Sequence, residues 1–233
     1  MKQALITGGA RGIGFGIAEA MLAAGYNVTV TGLTAQEVAA VPRRDKLSAV
    51  TLDVTSDSDV AACIAALPRL DALVNCAGMV LRDGKEFTIA GFQKVIDVNL
   101  TGTMRMCMAA KPLLEKQGGA IVNIASVWSF FGGPLVPAYT ASKGGVAQLT
   151  KSLAVAWAPS IRVNAIAPGW IETDLTKAAQ DDPARSDAIV GRTPFGRWGK
   201  PGDIGGAAVF LCSDAAGFIT GTILPVDGGY TAK

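Results

Sequence analysis

The stretch A-L-I-T-G-G-A-R-G-I-G, residues 4–14, decides how the chain is read. It runs from a short apolar, β-prone segment through glycines 8, 9, 12 and 14 into G-I-G-F-G-I-A-E-A-M-L-A-A-G (12–25), whose apolar residues recur at helical spacing. A strand that turns on glycine into a helix aims backbone N–H groups and the positive end of the helix dipole at one point, where a pyrophosphate would sit. Gly8, Gly12 and Gly14 would allow the tight turn and a close approach of a cofactor. The spacing is G-x-x-x-G-x-G and not G-x-G-x-x-G, so the turn alone leaves a nucleotide site and an ordinary βα turn both open.

Outward from the turn, six more β-rich runs follow: NVTVT (27–31), SAVTLD (48–53), DALVN (71–75), AIVNIA (120–125), IRVNAI (161–166) and TILPVD (222–227). Helical patterns separate them at 57–67, 90–116, 139–158 and 203–213. Strands alternating with helices predict a three-layer, doubly wound parallel α/β sheet of seven strands, the Rossmann arrangement, in one domain spanning 1–233. Its ligand crevice belongs at the carboxyl ends of the strands. Residues 168–200 break the alternation with a polar, Pro- and Gly-punctuated stretch, read as a substrate flap at about 170–200 carrying one small helix.

Composition excludes several classes. The chain has 233 residues, half of them hydrophobic, with 28 glycines and 17% charged residues, which fits a compact α/β protein. A net charge of +2, without any basic block, argues against nucleic acid as a partner. Cys63, Cys76, Cys107 and Cys212 form no C-x-x-C pair and there is no histidine, so no metal site and no disulfide framework is expected. The apolar run starts almost at the first residue and none approaches a membrane span, so a soluble, cytoplasmic protein is expected. Without histidine, proton transfer falls to Tyr, Lys, Asp, Glu or Cys.

Four further segments fall at strand ends or a helix start: N-C-A-G (75–78), N-I-A-S (123–126), Y-T-A-S-K (139–143) and P-G-W-I-E-T (168–173). Tyr139 and Lys143 are four apart on one helix, so their side chains share a face. The second strand ends T-G-L-T (31–34), with neither a carboxylate to repel a 2′-phosphate nor an arginine after it to attract one. Arg11, in the glycine turn, is a candidate phosphate ligand or a solvated loop residue.

With V-N-L (98–100), Asp53-Val54, the closing V-D-G-G (226–229) and Ser126 standing thirteen residues before Tyr139, the chain resembles the short-chain dehydrogenase/reductase family over essentially its whole length. Cys76 departs from the asparagine frequent there. The resemblance implies a catalytic tetrad of Asn99, Ser126, Tyr139 and Lys143. Tyr139 would be the acid/base, its pKa lowered by Lys143 and by the oxidised nicotinamide. Lys143 would also hold the nicotinamide ribose, Ser126 the substrate oxygen, and Asn99 a relay water. It places Gly8, Arg11, Gly12, Ile13 and Gly14 at the pyrophosphate, and Asp53 and Val54 at the adenine. Asn75, Ala77 and Gly78 go to the adenosine ribose and nearby backbone, and Pro168, Gly169, Ile171 and Thr173 to the nicotinamide. A homotetramer packed through 90–116, 139–158 and the C-terminal segment is also implied.

Within the family, S-F-F-G-G-P-L-V-P-A-Y-T-A-S-K (129–143), G-R-W-G-K-P-G-D (196–203) and V-D-G-G-Y (226–230) are most similar to the sugar-acid members, the 2-deoxy-D-gluconate and 2-dehydro-3-deoxy-D-gluconate dehydrogenases. Those members also end the second strand as Gly32-Leu33 does here, which tilts the cofactor to NAD(H) and leaves NADP(H) open. Arg82, Arg192 and Arg197 are candidates to bind a substrate carboxylate. Trp128, Phe131, Val136 and Trp170 are candidate pocket walls, suited also to the 3-oxoacyl substrates of the carrier-protein reductases. A dinucleotide-sensing protein without turnover is the alternative of another class, and one expected to have lost Tyr139 or Lys143.

Overall fold

β1 (Gln3–Thr7) lies near the middle of the structure, a computed structural model that describes residues 1–233. With β2 (Asn27–Gly32), β3 (Leu47–Thr51), β4 (Ala72–Asn75), β5 (Ala120–Ile124), β6 (Arg162–Pro168) and β7 (Ile223–Val226) it forms one sheet in the order β3-β2-β1-β4-β5-β6-β7. All six pairings are parallel, as the sequence predicts. The strand order reverses between β1 and β4, which opens a crevice at their carboxyl ends.

Successive residues of each central strand feed opposite layers, because side chains alternate across a sheet. Ile6, Val74 and Val122 pack with Ile17 and Met21 of α1 (Gly12–Ala23) and Ile204 and Leu211 of α9 (Pro201–Cys212). Leu5, Leu73 and Ile121 pack on the other face with Met106 and Leu114 of α5 (Gly102–Glu115) and Leu153 of α6 (Pro137–Trp157). Both faces are dry, so the strands read as continuous apolar runs. No helix is long and apolar enough to cross a membrane.

Local chemistry sets the helix starts. Ser56 caps α3 (Asp57–Ala65), Thr88 caps α4 (Ile89–Ile96) and Asp182 caps α8 (Pro183–Arg192), while proline occupies the first position of α6, α8 and α9. Three segments differ from the sequence expectation. A five-residue helix, α2 (Ala35–Ala39), follows β2, too short for apolar periodicity to register. The helix expected over 90–116 is split by a π-helical turn at Asp97–Thr101, which carries Asn99. The segment after β6 holds more helix than one small element: α7 (Lys177–Gln180) and α8, with Ala179, Ile189 and Trp198 in a core of their own.

Candidate active site

Threonines hold the glycine turn in place. The Thr31 hydroxyl accepts the Gly8 N–H (3.2 Å), and the Thr7 hydroxyl accepts the N–H groups of Cys76 and Ala77 (both 3.1 Å), so β1, β2 and β4 are fastened together at their carboxyl ends. Gly8 and Gly12 have φ of +61° and +55°, a region costly for other residues. A Cβ on Gly8 would lie 2.8 Å from the Ala77 Cα, whereas one on Gly12 would point toward Thr173. The first glycine is thus dictated by packing, the second by the turn at the cleft wall.

A cleft of about 850 Å³ runs from this turn to Tyr139 and Lys143. Of the residues expected around a cofactor, Gly8, Arg11, Gly12, Ile13, Gly14, Leu33, Asp53, Val54, Ala77, Gly78 and Thr173 line it together with Tyr139 and Lys143. Asn75, Pro168, Gly169 and Ile171 do not. The Asn75 amide is turned into the protein, donating to Asn123 Oδ1 at 2.8 Å and to Cys107 Sγ at 3.2 Å. Gly169 lies against Asp227, and Ile171 is buried in the α1/α9 core.

Of the expected tetrad, Tyr139 and Lys143 line the cleft, while Asn99 and Ser126 are buried beside them and do not. Lys143 is only 4% exposed; its ammonium donates to the Ile124 carbonyl at 2.6 Å and lies 5.7 Å from the centre of the Tyr139 ring. A side chain on Gly78 would come within 3.6 Å of that ammonium and 3.4 Å of Asn99 Oδ1, so the glycine keeps the space above both open. The Asn99 amide accepts from the Met79 N–H (2.8 Å) and donates to the Met79 carbonyl (2.9 Å) and to the Ser142 hydroxyl (3.0 Å). These bonds fix the loop after β4 to the π-helical turn.

Burial dominates the electrostatics of Tyr139 and Lys143. Burial pushes the Tyr139 phenol up to about 12, against the opposing hydrogen bond of Ser126 and with added repulsion from Cys76 and Glu86. The same burial pulls the Lys143 ammonium down to about 8. The Lys143 ammonium is committed to the Ile124 carbonyl, and desolvation of the anion is the largest influence on Tyr139.

The sequence reading missed a carboxylate at the end of β2. Glu37, the third residue of α2, folds back so that Oε2 accepts the Leu33 N–H (2.6 Å) and Oε1 takes Arg11 Nε (3.2 Å). A Cβ on Gly32 would sit 2.9 Å from the Glu37 Cβ, so glycine there admits the approach. The signal was present as T-A-Q-E (34–37), a capping-box spacing in which Thr34 accepts the Glu37 N–H at 3.2 Å. Arg11, itself in the cleft lining, is also paired with Asp174 at 3.2 Å.

The aromatic candidates form one wall. Trp128 stands edge-on to Phe131 (5.2 Å) and Trp170 (6.1 Å), and Trp170 to Trp198 (5.8 Å). Val136 joins it across Gly133, where a Cβ would meet Val136 Cγ2 at 2.7 Å and Trp128 Cδ2 at 3.4 Å. The Trp128 N–H donates to Ser126 Oγ at 3.2 Å, which sets this wall beside the tetrad. Two of the three candidate cations are occupied: Arg82 donates to the Leu175 carbonyl, and Arg197 forms two bonds to Asp203 (2.7 and 3.2 Å). Arg192 has no carboxylate partner; its guanidinium lies 4.4 Å from the Tyr230 ring centre and 5.1 Å from that of Phe131.

A nucleotide cleft at the switch point of a parallel sheet, ending on a buried lysine beside a tyrosine, defines a class of nicotinamide-dependent oxidoreductases. Comparison with known proteins agrees: a family profile described as enoyl-(acyl carrier protein) reductase matches residues 8–231. The chain belongs to the short-chain dehydrogenase/reductase family, and is an NAD(P)-dependent oxidoreductase acting on CH–OH groups. It is 44% identical over 242 residues to a 2-dehydro-3-deoxy-D-gluconate 5-dehydrogenase of Bacillus subtilis, covering 100% of this chain and 95% of the relative. A D-threitol dehydrogenase of Mycolicibacterium smegmatis is 39% identical, with coverage of 100% and 94%. Among solved structures, a gluconate 5-dehydrogenase of Burkholderia cenocepacia in complex with NADP and tartrate matches with a TM-score of 0.93 at 36% identity, over 100% of this chain and 96% of that one.

Proposed function

We propose that the protein catalyses reversible oxidation of a secondary hydroxyl on a sugar acid, with Tyr139 as acid/base and NAD(H) as the preferred cofactor. The observation that carries this reading is the continuous cleft from the glycine turn to Tyr139 and Lys143. The residues fit such a group: glycines whose side chains would fill the cradle or strain the turn, an acidic residue over the end of β2, and an ammonium on the floor. When bound, the nicotinamide gives or takes a hydride at its C4.

The chain's own residues do the rest. Tyr139 passes a proton to the carbonyl oxygen or takes it from the hydroxyl, and Ser126 hydrogen-bonds the same oxygen and steadies the charge that develops on it. Lys143 would hold the nicotinamide ribose hydroxyls, and Asn99 would anchor the relay beside it. Arg192, unpaired and seated on the aromatic wall, is the cation that receives the substrate carboxylate. Residues 170–200 serve as a flap of the single domain, held to the glycine turn by the exposed Arg11–Asp174 pair and to the loop after β4 by Arg82.

Glu37 supports the NAD(H) preference. A carboxylate at this strand end accepts ribose hydroxyls and repels a 2′-phosphate, and it occupies the arginine that would otherwise attract one. The Burkholderia relative carries NADP, so the preference rests on Glu37 and not on likeness. The exposed Met108 on α5 and Val155 on α6 support packing into a homotetramer, which light scattering checks; a monomeric mass would remove it.

The test is a steady-state panel of sugar acids, polyols and 3-oxoacyl thioesters, each run with NAD(H) and NADP(H). The expected result is highest kcat/KM on a sugar acid with NAD(H). Highest activity on an acyl thioester would replace the substrate assignment, and cofactor binding without turnover on any compound would replace the enzymatic reading.

A further inference from the structure

Glu86 is a carboxylate that the mechanism leaves unused, and it is 1% exposed. It sits on a single 3-10 turn (Lys85–Phe87) in the loop after β4, and its two oxygens go separate ways. Oε1 accepts the Leu81 N–H at 2.9 Å; Oε2 accepts the N–H of Tyr139 itself at 2.9 Å. Glu86 has no cation partner.

The helix it touches needs such a group. α6 begins at Pro137, its N-cap Val136 supplies no side-chain hydrogen bond, and its first turn carries no acidic residue. Tyr139 is its third residue, so its N–H is one of the donors that the helix cannot satisfy internally. A carboxylate there also meets the positive end of the dipole of a 21-residue helix. The other side of the Tyr139 peptide is held as well: its carbonyl accepts the Ser142 hydroxyl at 2.7 Å, and that hydroxyl accepts from Asn99.

From this we propose that Glu86 is a positioning residue for the reaction, clamping the Tyr139 backbone to the loop after β4 and keeping a negative charge behind the phenol. The ionisable groups facing Tyr139 are Cys76 from the loop after β4, Lys143 from the next turn of α6, and Glu86. Burial holds the Cys76 thiol up to about 11, and the Glu86 carboxylate repels a negative charge on the phenol. Its field favours the protonated phenol and so opposes loss of the proton before substrate and oxidised cofactor are both in place.

The experiment compares Glu86→Gln with wild type in the oxidative direction, reading kcat, cofactor Kd and the pH profile. Glutamine offers one acceptor oxygen where two N–H groups wait, and no charge. The expected result is a kcat lower by about tenfold to a hundredfold, as for a small misplacement of a reacting group, with an unchanged cofactor Kd. The limb of the profile that reports Tyr139 moves to lower pH. A kcat within twofold of wild type, or a lower kcat with an unmoved limb, overturns the proposal.

If the glutamine variant does not fold, Glu86→Asp carries the test. It keeps the charge but reaches at most one of the two N–H groups, so kcat falls while the limb stays. Wild-type kcat in that variant, or failure of both variants to fold, makes the residue structural only and ends the proposal. The inference rests on Tyr139 as the acid/base, so Tyr139→Phe is run alongside. If that variant turns over normally, the underlying reading fails; if it is inactive while the Glu86 variants behave as wild type, only this inference does.

Discussion

Tyr139→Phe lowers kcat by about two to four orders of magnitude, the range set by loss of a general acid/base, while cofactor Kd stays within a few-fold of wild type. The ring remains to fill its place beside Lys143, and only the hydroxyl, with its hydrogen bond to Ser126, is removed. Stability is expected to follow the same pH dependence as wild type below about pH 9. The folded phenol titrates near 12 against an ordinary value of 10, so neither the native nor the unfolded chain has lost that proton there. Steady-state kinetics with a fluorescence titration of reduced cofactor reads both quantities. Turnover at the wild-type rate would exclude Tyr139 as the group that moves the proton.

Lys143→Met also loses turnover, by a comparable factor, but differs in two readouts. Cofactor binding weakens as well, because the ammonium proposed to hold the ribose is gone. The pH dependence of stability changes too, because a buried ammonium with one hydrogen bond is a cost to the fold. Its folded pKa, about 8, lies below the ordinary 10.5. Below pH 8 both states carry the proton and the native state bears the whole cost, roughly 3 kcal/mol. Between 8 and 10.5 the unfolded chain still binds the proton and the native chain does not, so wild-type stability climbs with pH. Above both values the cost is gone. Methionine has no such titration, so denaturant unfolding should show wild type gaining on the variant by roughly 3 kcal/mol between pH 7 and 10.5. A constant difference across that range would mean that Lys143 is not buried as a charge.

The seven strands were legible because a parallel sheet covered on both faces leaves uninterrupted apolar runs, and β1 to β7 begin and end within a few residues of them. The glycine turn and the Tyr139–Lys143 pair were legible for another reason: each is a local spacing that its chemistry requires. What escaped were features whose partners are distant or whose elements are short. α2 spans five residues, yet it swings Glu37 onto the end of β2, and only the Thr34–Glu37 capping spacing announced it. The π-helical turn around Asn99 leaves no mark in apolar periodicity, since one extra residue in a turn shifts the pattern without breaking it. Glu86 lies 53 positions from the N–H it accepts, and nothing in G-K-E-F-T (84–88) distinguishes it from a solvated glutamate. The burial that raises the Tyr139 pKa leaves no mark in the sequence, where charge is visible and burial is not.

The most direct measurement of the central claim uses the best substrate of the panel with deuterium on the carbon that bears the reacting hydroxyl. Hydride transfer predicts one deuterium at the nicotinamide C4 of the reduced cofactor and none in water, with transfer slowed in Tyr139→Phe by the same factor as kcat. Deuterium recovered in solvent, or product formed while the cofactor stays oxidised, would contradict it.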